Sequence, residues 1–388
     1  MLSFREVAHP SPRAGDEFTQ MDNVLRVGGP EAGFAYLAKR AREDKNYPLL
    51  FEIRLMQKRR ELGLPLILTE PLGELPKSKK EAYEGATIEA AREVGALFLS
   101  DGDIERAWPY FRAIGEVNPV AKAIERTAPA GASDGILQIA YFDRVAPRKG
   151  FELILEKHGI CRAITCFGQY PQPEGREESA ALLVRRLCAD LAASLKRAIE
   201  QFAGSAPETD STIQLIEGRD WLFQGNAYYI DTSHVASVVQ LSPNLENPET
   251  LRLIHGLTEY GRRLAPMYQF PGQPPFENVY EDYGVYIQTV LGIEVDEGIE
   301  HFRRKVESAS PEKAPDAAMA LVNLLTRLER YEEAVDVSLE HLAELDPREL
   351  SCPPAVHLCQ MSGDMARLQE IARQRGDLLS FAAAALQD

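Results

Sequence analysis

Apolar residues recur along most of this chain at intervals of three and four, the spacing that puts them on one face of an α-helix. Gly28-Gly29-Pro30-Glu31 opens one such segment. Proline suits a first helical turn, Glu31 complements the positive helix end, and Phe34, Leu37 and Ala38 begin the apolar face. A second helix is expected over 49–62, with Leu50, Ile53, Leu55 and Met56 supplying its apolar positions. Residues 64–80 carry Pro65, Pro71, Gly73 and Pro76 and read as a connector. Residues 1–20, with Pro10 and Pro12, read as an irregular lead-in. Helical spacing returns over 136–143, 150–158, 160–166, 178–202, 248–264 and 276–291. The stretch 211–231 departs from it. Thr212-Ile213-Gln214-Leu215-Ile216 is short and β-branched, and Ala227-Tyr228-Tyr229-Ile230 is a second candidate strand. Gly218 and Gln224-Gly225-Asn226 stand between them, which predicts a small β-hairpin inserted in a helical array.

The sharpest pattern lies at 88–119, where Val94, Gly95, Phe98, Gly102, Ala107, Phe111, Ile114 and Pro119 follow one another. Gly95 and Ala107 are small, so two antiparallel helices can approach closely, and Phe98 and Phe111 fill the space around that crossing. Gly102 permits the left-handed conformation that ends a helix, Asp103 caps the next helix, and Pro119 is expected to stop it. This stretch resembles the tetratricopeptide repeat, a helix–turn–helix unit of about 34 residues, with Ala91 where that repeat usually has tryptophan. A second copy occupies 317–347 through Leu321, Leu325, Tyr331, Ala334 and Pro347, with Val322 and Glu329 replacing the two usual glycines. Residues 353–374 resemble a further helix pair turning at Ser362-Gly363-Asp364. A weaker copy covers 283–305 through Gly284, Ile287, Gly298 and Phe302. Three segments, AWPYFRAIGE at 107–116, HGICRAIT at 158–165 and DTSHVASVV at 231–239, carry a closer resemblance to a group of bacterial proteins with tetratricopeptide-like ends. The resemblance implies a mainly α fold, an α–α superhelix or tetratricopeptide-like solenoid, and no particular chemistry. The expected organisation is a lead-in at 1–20, helical repeats at 21–130, a divergent centre at 131–290 and repeats at 291–388.

Composition narrows the setting. The 388 residues include 43 Lys and Arg against 59 Asp and Glu, a net charge of −16, which argues against phosphate backbones and anionic membranes as partners. A hydrophobic share of 45% excludes wholesale disorder. No run approaches the roughly 20 apolar residues that span a bilayer, and the N-terminus has no apolar signal region, so a cytoplasmic location is expected. Cys161, Cys166, Cys188, Cys352 and Cys359 are odd in number and form no CxxC pair, which leaves a disulfide scaffold or zinc ribbon unsupported.

Candidate chemistry concentrates in the centre. Asp231-Thr232-Ser233-His234 falls where the second candidate strand meets a helix. Its plain reading is a cap, with His234 in the first turn. Its functional reading is a neutral His234 facing a cavity and oriented by Asp231. His158 ends a helix before Gly159, where it complements the helix dipole. Glu277, Tyr280, Glu281 and Gly284 share one helix face beside Asp282, and a solvated acidic face is the plain expectation. Glu281 or Asp282 with His158 and His234 would instead suit zinc or iron, with a position open to water or substrate. His255 and Glu259 form a helix-surface pair at four residues' separation. Gly131-Ala132-Ser133-Asp134-Gly135 matches the nucleophile-elbow pattern but lacks the preceding strand, and reads as a loop and cap. The basic runs Lys58-Arg59-Arg60 and Lys77-Ser78-Lys79-Lys80 read as solvated surface.

Two functions remain in competition. The first is a helical-repeat scaffold that holds a protein or peptide, with no cofactor and with Tyr229, Asp231, His234, Tyr280 and Glu281 as candidate contacts. The second is a zinc- or iron-dependent enzyme built around His158, His234 and Glu281.

Overall fold

The computed structural model describes residues 14–68, 75–170 and 174–386. The protein is mainly α-helical, and among the described residues the β structure is an isolated bridge between Pro271 and Asn278. The chain groups into two units, Met1–Leu153 and Ile154–Asp388, where the sequence reading drew its divisions at 130 and 290.

In the first unit, α1 (Ala14–Glu43) already covers 14–20, so this part of the expected lead-in is helical, while 1–13 lie outside the described residues. Backbone at Gly29 (φ 67°) interrupts α1, and a fresh helical run begins at Pro30, where the sequence pattern placed a start. Asn46 caps α2 (Tyr47–Glu61) by accepting from the Leu49 N–H. Pro71 and Gly73 of the expected connector lie outside the described residues, and α3 (Lys77–Ser100) begins just after Pro76. A Cβ built on Gly95 would stand 2.7 Å from Cε2 of Phe111 on α4 (Ile104–Ala113), so the α3–α4 crossing does depend on that glycine. Asp103 caps α4 through the Arg106 N–H at 3.0 Å. Pro119 does not end α4. The chain leaves that helix at Gly115 (φ 71°), and Pro119 lies in the first turn of α5 (Asn118–Glu125), where its missing N–H is harmless. Ser133 caps α6 (Asp134–Leu137) through the Ile136 N–H, and helix rather than strand geometry surrounds it. The buried side chains of α2 to α5, among them Leu50, Val94, Phe98, Ala107, Phe111 and Ile124, form one core. The division between the units falls inside α7 (Pro147–Gln169).

In the second unit, α8 (Arg176–Ala203) packs against α9 (Thr212–Ile216), α10 (Thr232–Val239) and α11 (Pro248–Arg262). The expected β-hairpin at 211–231 is absent. Ser211 accepts from the Gln214 N–H and starts a helix, which buries Leu215 and Ile216. Residues 220–226 form tight turns, and the N–H of Tyr229 donates to the Tyr260 hydroxyl at 2.8 Å instead of to a strand. Capping and burial outweigh the β propensity of so short a run.

From α11 onward each helix packs against its successor: α12 (Val279–Val290), α13 (Val295–Ser308), α14 (Ala314–Arg327), α15 (Tyr331–His341), α16 (Ala355–Ser362), α17 (Met365–Gln374) and α18 (Leu378–Ala385). Glu329 adopts φ 58° at the α14–α15 turn, so the turn keeps its form although the usual glycine is missing. Ile299, Phe302, Leu321, Leu325, Ala334 and Leu358 are buried in the core shared by these helices. Among the described residues no helix is long and apolar enough to cross a membrane.

Candidate functional site

Asp231, Tyr229 and Tyr280 lie near the junction of α10, α11 and α12, each with its own partners. Asp231 caps α10 by accepting from the Ser233 N–H at 2.9 Å and the Ser233 hydroxyl at 2.6 Å. The Ser233 hydrogen bonds hold its carboxyl below the usual range. Tyr280 is fully buried and its hydroxyl donates to the Thr232 carbonyl at 3.3 Å. Its ring covers Gly261, where a Cβ would lie 2.2 Å from Cδ1. Tyr260 accepts from the Tyr229 N–H, and burial pushes its own hydroxyl up to about 12. Tyr229 donates in turn to the Leu222 carbonyl at 2.8 Å. The hydroxyls of Tyr229, Tyr260 and Tyr280 are thus spent on the protein itself, whereas Asp231 is exposed.

His234 is half-buried in the first turn of α10, and His158 is exposed on α7 beside the Gly159 kink. Glu281 pairs with Arg262 at 3.1 Å, and Arg262 also pairs with Glu259. His255 lies 3.8 Å from Glu259, and burial lowers its pKa and so favours the neutral ring. Among the described residues no group of three or more His, Cys, Asp or Glu side chains is placed to hold a metal ion. Cys161 is exposed, and the other four cysteines are buried free thiols.

The acidic face of α12 divides by neighbour. Glu277 and Glu281 are at the surface, whereas the Asp282 side chain is only 2% exposed. Its oxygens meet His301 Nε2 at 2.9 Å, Lys305 Nζ at 3.0 Å and the Asn278 N–H at 2.8 Å. Burial works to raise its pKa, and the bonds from His301, Lys305 and Asn278 outweigh burial, so Asp282 sits below the ordinary carboxylate range. The four-residue spacing of His301 and Lys305 puts both on one face of α13. That spacing was visible in the sequence, but their partner on α12 was not.

The second unit also holds a cleft of about 1080 Å³. One wall is a face of α14 that presents Asp316, Met319, Ala320, Asn323 and Arg327. The facing wall comes from Asn244, Glu246 and Arg252 and from the Gln273–Phe276 segment, over a floor that includes Tyr286, Val290 and Leu291. Phe276 stacks on Tyr283 with centroids 4.1 Å apart and touches Tyr286 and Phe302, which stiffens the floor. Arg327 ties the walls together by donating to the carbonyls of Pro243 (3.2 Å) and Leu245 (2.5 Å). None of the candidate contacts chosen from the sequence lines this cleft. The signal in the sequence is the recurrence of polar Asp316, Asn323, Thr326 and Arg327 along a largely apolar helix.

No protein-family model, curated protein or solved structure matches the chain.

Proposed function

We propose that this protein is a cytoplasmic helical-repeat module, of tetratricopeptide-like solenoid type, that binds a peptide or a partner protein in the cleft beside α14. The cleft carries this reading: it is roomy, and its lining combines apolar side chains such as Met319, Val290 and Leu291 with the side-chain amides of Asn244, Gln273 and Asn323. The pairing of each helix from α11 to α18 with its successor supports the solenoid, because stacked pairs leave a continuous surface for a ligand. The net charge of −16 supports a protein ligand over a nucleic acid. The test compares the native chain with Ala320→Trp, which fills the cleft, as bait in a native lysate over a range of salt concentrations. A partner captured by the native chain and lost from folded Ala320→Trp is expected. No capture, or equal capture by both, overturns the proposal.

A further inference from the structure

We infer that the α2–α3 pair carries a binding site for a phosphate group, gripped by one edge of the Arg59 guanidinium with Lys79 and Tyr83 beside it. The site belongs to the first unit and is independent of the peptide-binding reading above.

The register of the two helices brings these residues together. α2 and α3 run antiparallel: Arg54 grips Glu93, Arg59 Nη1 donates to the Tyr83 hydroxyl at 3.2 Å, and Lys79 Nζ donates to the Leu62 carbonyl at 2.7 Å. Lys79 and Tyr83 are four residues apart on one face of α3, and Arg59 and Leu62 are three apart on α2. The three polar tips therefore fall within about one helical turn of one another.

The basic runs Lys58-Arg59-Arg60 and Lys77-Ser78-Lys79-Lys80 meet here, and Arg59 is not the solvated residue expected of them, being only 5% exposed. Its Nε is buried without a hydrogen-bond partner, and Nη2 makes no hydrogen bond among the described residues. Nε and Nη2 form the edge of a guanidinium that holds two oxygens of one oxyanion at once. Arg54, five residues earlier on the same helix, uses that edge on Glu93 at 2.8 and 3.1 Å. The Tyr83 hydroxyl accepts from Arg59 and donates to nothing among the described residues, and Lys79 keeps further N–H groups for a ligand. A buried charge and buried donors without a partner are costly, so this edge favours an anion.

Charge selects the class of anion. The acidic residues beside the two runs are already engaged: Glu61 with Lys58, Glu31 with Arg60, Glu81 with Lys77 and Glu84 with Lys80. Arg59 and Lys79 are left over and form no ion pair among the described residues. Two unmatched cations and the Tyr83 hydroxyl exceed what a carboxylate, with one charge and two oxygens, can satisfy. A phosphate group brings up to two charges and at least three acceptor oxygens. Tyr83 and Lys79 are only half-buried, so the pair meets solvent at this end and its side chains have room to shift around a ligand.

Isothermal titration calorimetry of the full chain with inorganic phosphate tests this, together with melting curves in phosphate, acetate and chloride at equal ionic strength. Phosphate should bind the native chain at one site and raise its melting temperature by about 2 °C or more over chloride, with a smaller rise in acetate. Arg59→Met should abolish the binding, and Lys79→Met should weaken it about fivefold or more. The half-buried Lys79 keeps the test open if Arg59→Met does not fold. O-phospho-L-serine titrated beside inorganic phosphate separates the two sources of this chemistry: tighter binding of the first assigns a phosphomonoester, and of the second the free ion. Equal protection by acetate overturns the choice of phosphate. A phosphate effect of the same size in the native chain and the variants overturns the site. So does a native chain that binds no phosphate, which would leave Arg59 to a partner within the chain such as Glu70 or Glu74, outside the described residues.

Discussion

Asp282 on α12 and His301 on α13 are joined through Oδ1 and Nε2 at 2.9 Å, and Lys305 closes on the second carboxylate oxygen at 3.0 Å. A carboxylate only 2% exposed is costly unless its charge is matched, and here two side chains and a backbone N–H match it. The group therefore acts as a clasp between consecutive helices.

Replacing Asp282 by Asn should destabilise the second unit by roughly 3 kcal/mol in denaturant unfolding at neutral pH, because Lys305 loses its counter-charge and His301 its hydrogen-bond partner. The pH dependence has a definite sign. The folded pKa of Asp282 is depressed, so its contribution is complete above the unfolded carboxylate value of about 3.9 and fades as pH falls through the lower folded value. The gap between native and Asp282→Asn chains should be full at pH 7 and shrink below about pH 4. A gap that widens in acid would contradict this assignment.

Gly95→Ala should cost about 1–2 kcal/mol even though alanine favours helix, since its Cβ would press on the Phe111 ring at 2.7 Å. The double variant with Phe111→Leu should recover part of that loss. Additive effects in the double-mutant cycle would show that the two residues do not share one contact.

Glu329→Gly should raise the melting temperature, with a gain of up to about 1 kcal/mol, because φ 58° is strained for a side-chain-bearing residue and open to glycine. A lower melting temperature would mean that the Glu329 side chain contributes more than its backbone costs.

Asp231→Ala should lose about 1 kcal/mol as a helix cap, and His234→Ala should stay within about 0.5 kcal/mol. Zinc or iron added to the native chain should leave both melting curves unchanged. A metal-induced rise in stability that disappears in His234→Ala would restore a metal site that the described geometry does not assemble.

Local interactions explain how much of this fold was legible beforehand. The α3–α4 pair, the Asp103 and Asp231 caps, the turn at Gly363 and the restart at Pro30 depend on residues close in sequence, so spacing and turn chemistry were enough to locate them. The hairpin failed because Thr212–Ile216 is five residues long, too short for periodicity to separate strand from helix, and Ser211 with the burial of Leu215 decided the matter. The acidic face of α12 was legible as a face. That Asp282 points into the protein while Glu281 pairs with Arg262 depends on where α13 and α11 pack.

By itself, then, the sequence determined a helical protein, its repeat-like helix pairs and an acidic surface, because those follow from residue spacing and charge. Tertiary structure alone decided that Tyr229, Tyr260 and Tyr280 spend their hydroxyls on nearby backbone groups, the Tyr229 N–H and the Leu222 and Thr232 carbonyls. It also decided that the open cleft lies beside α14. Its walls come from residues 243–252, 273–291 and 316–327, distant segments whose meeting depends on the angles at which consecutive helices pack.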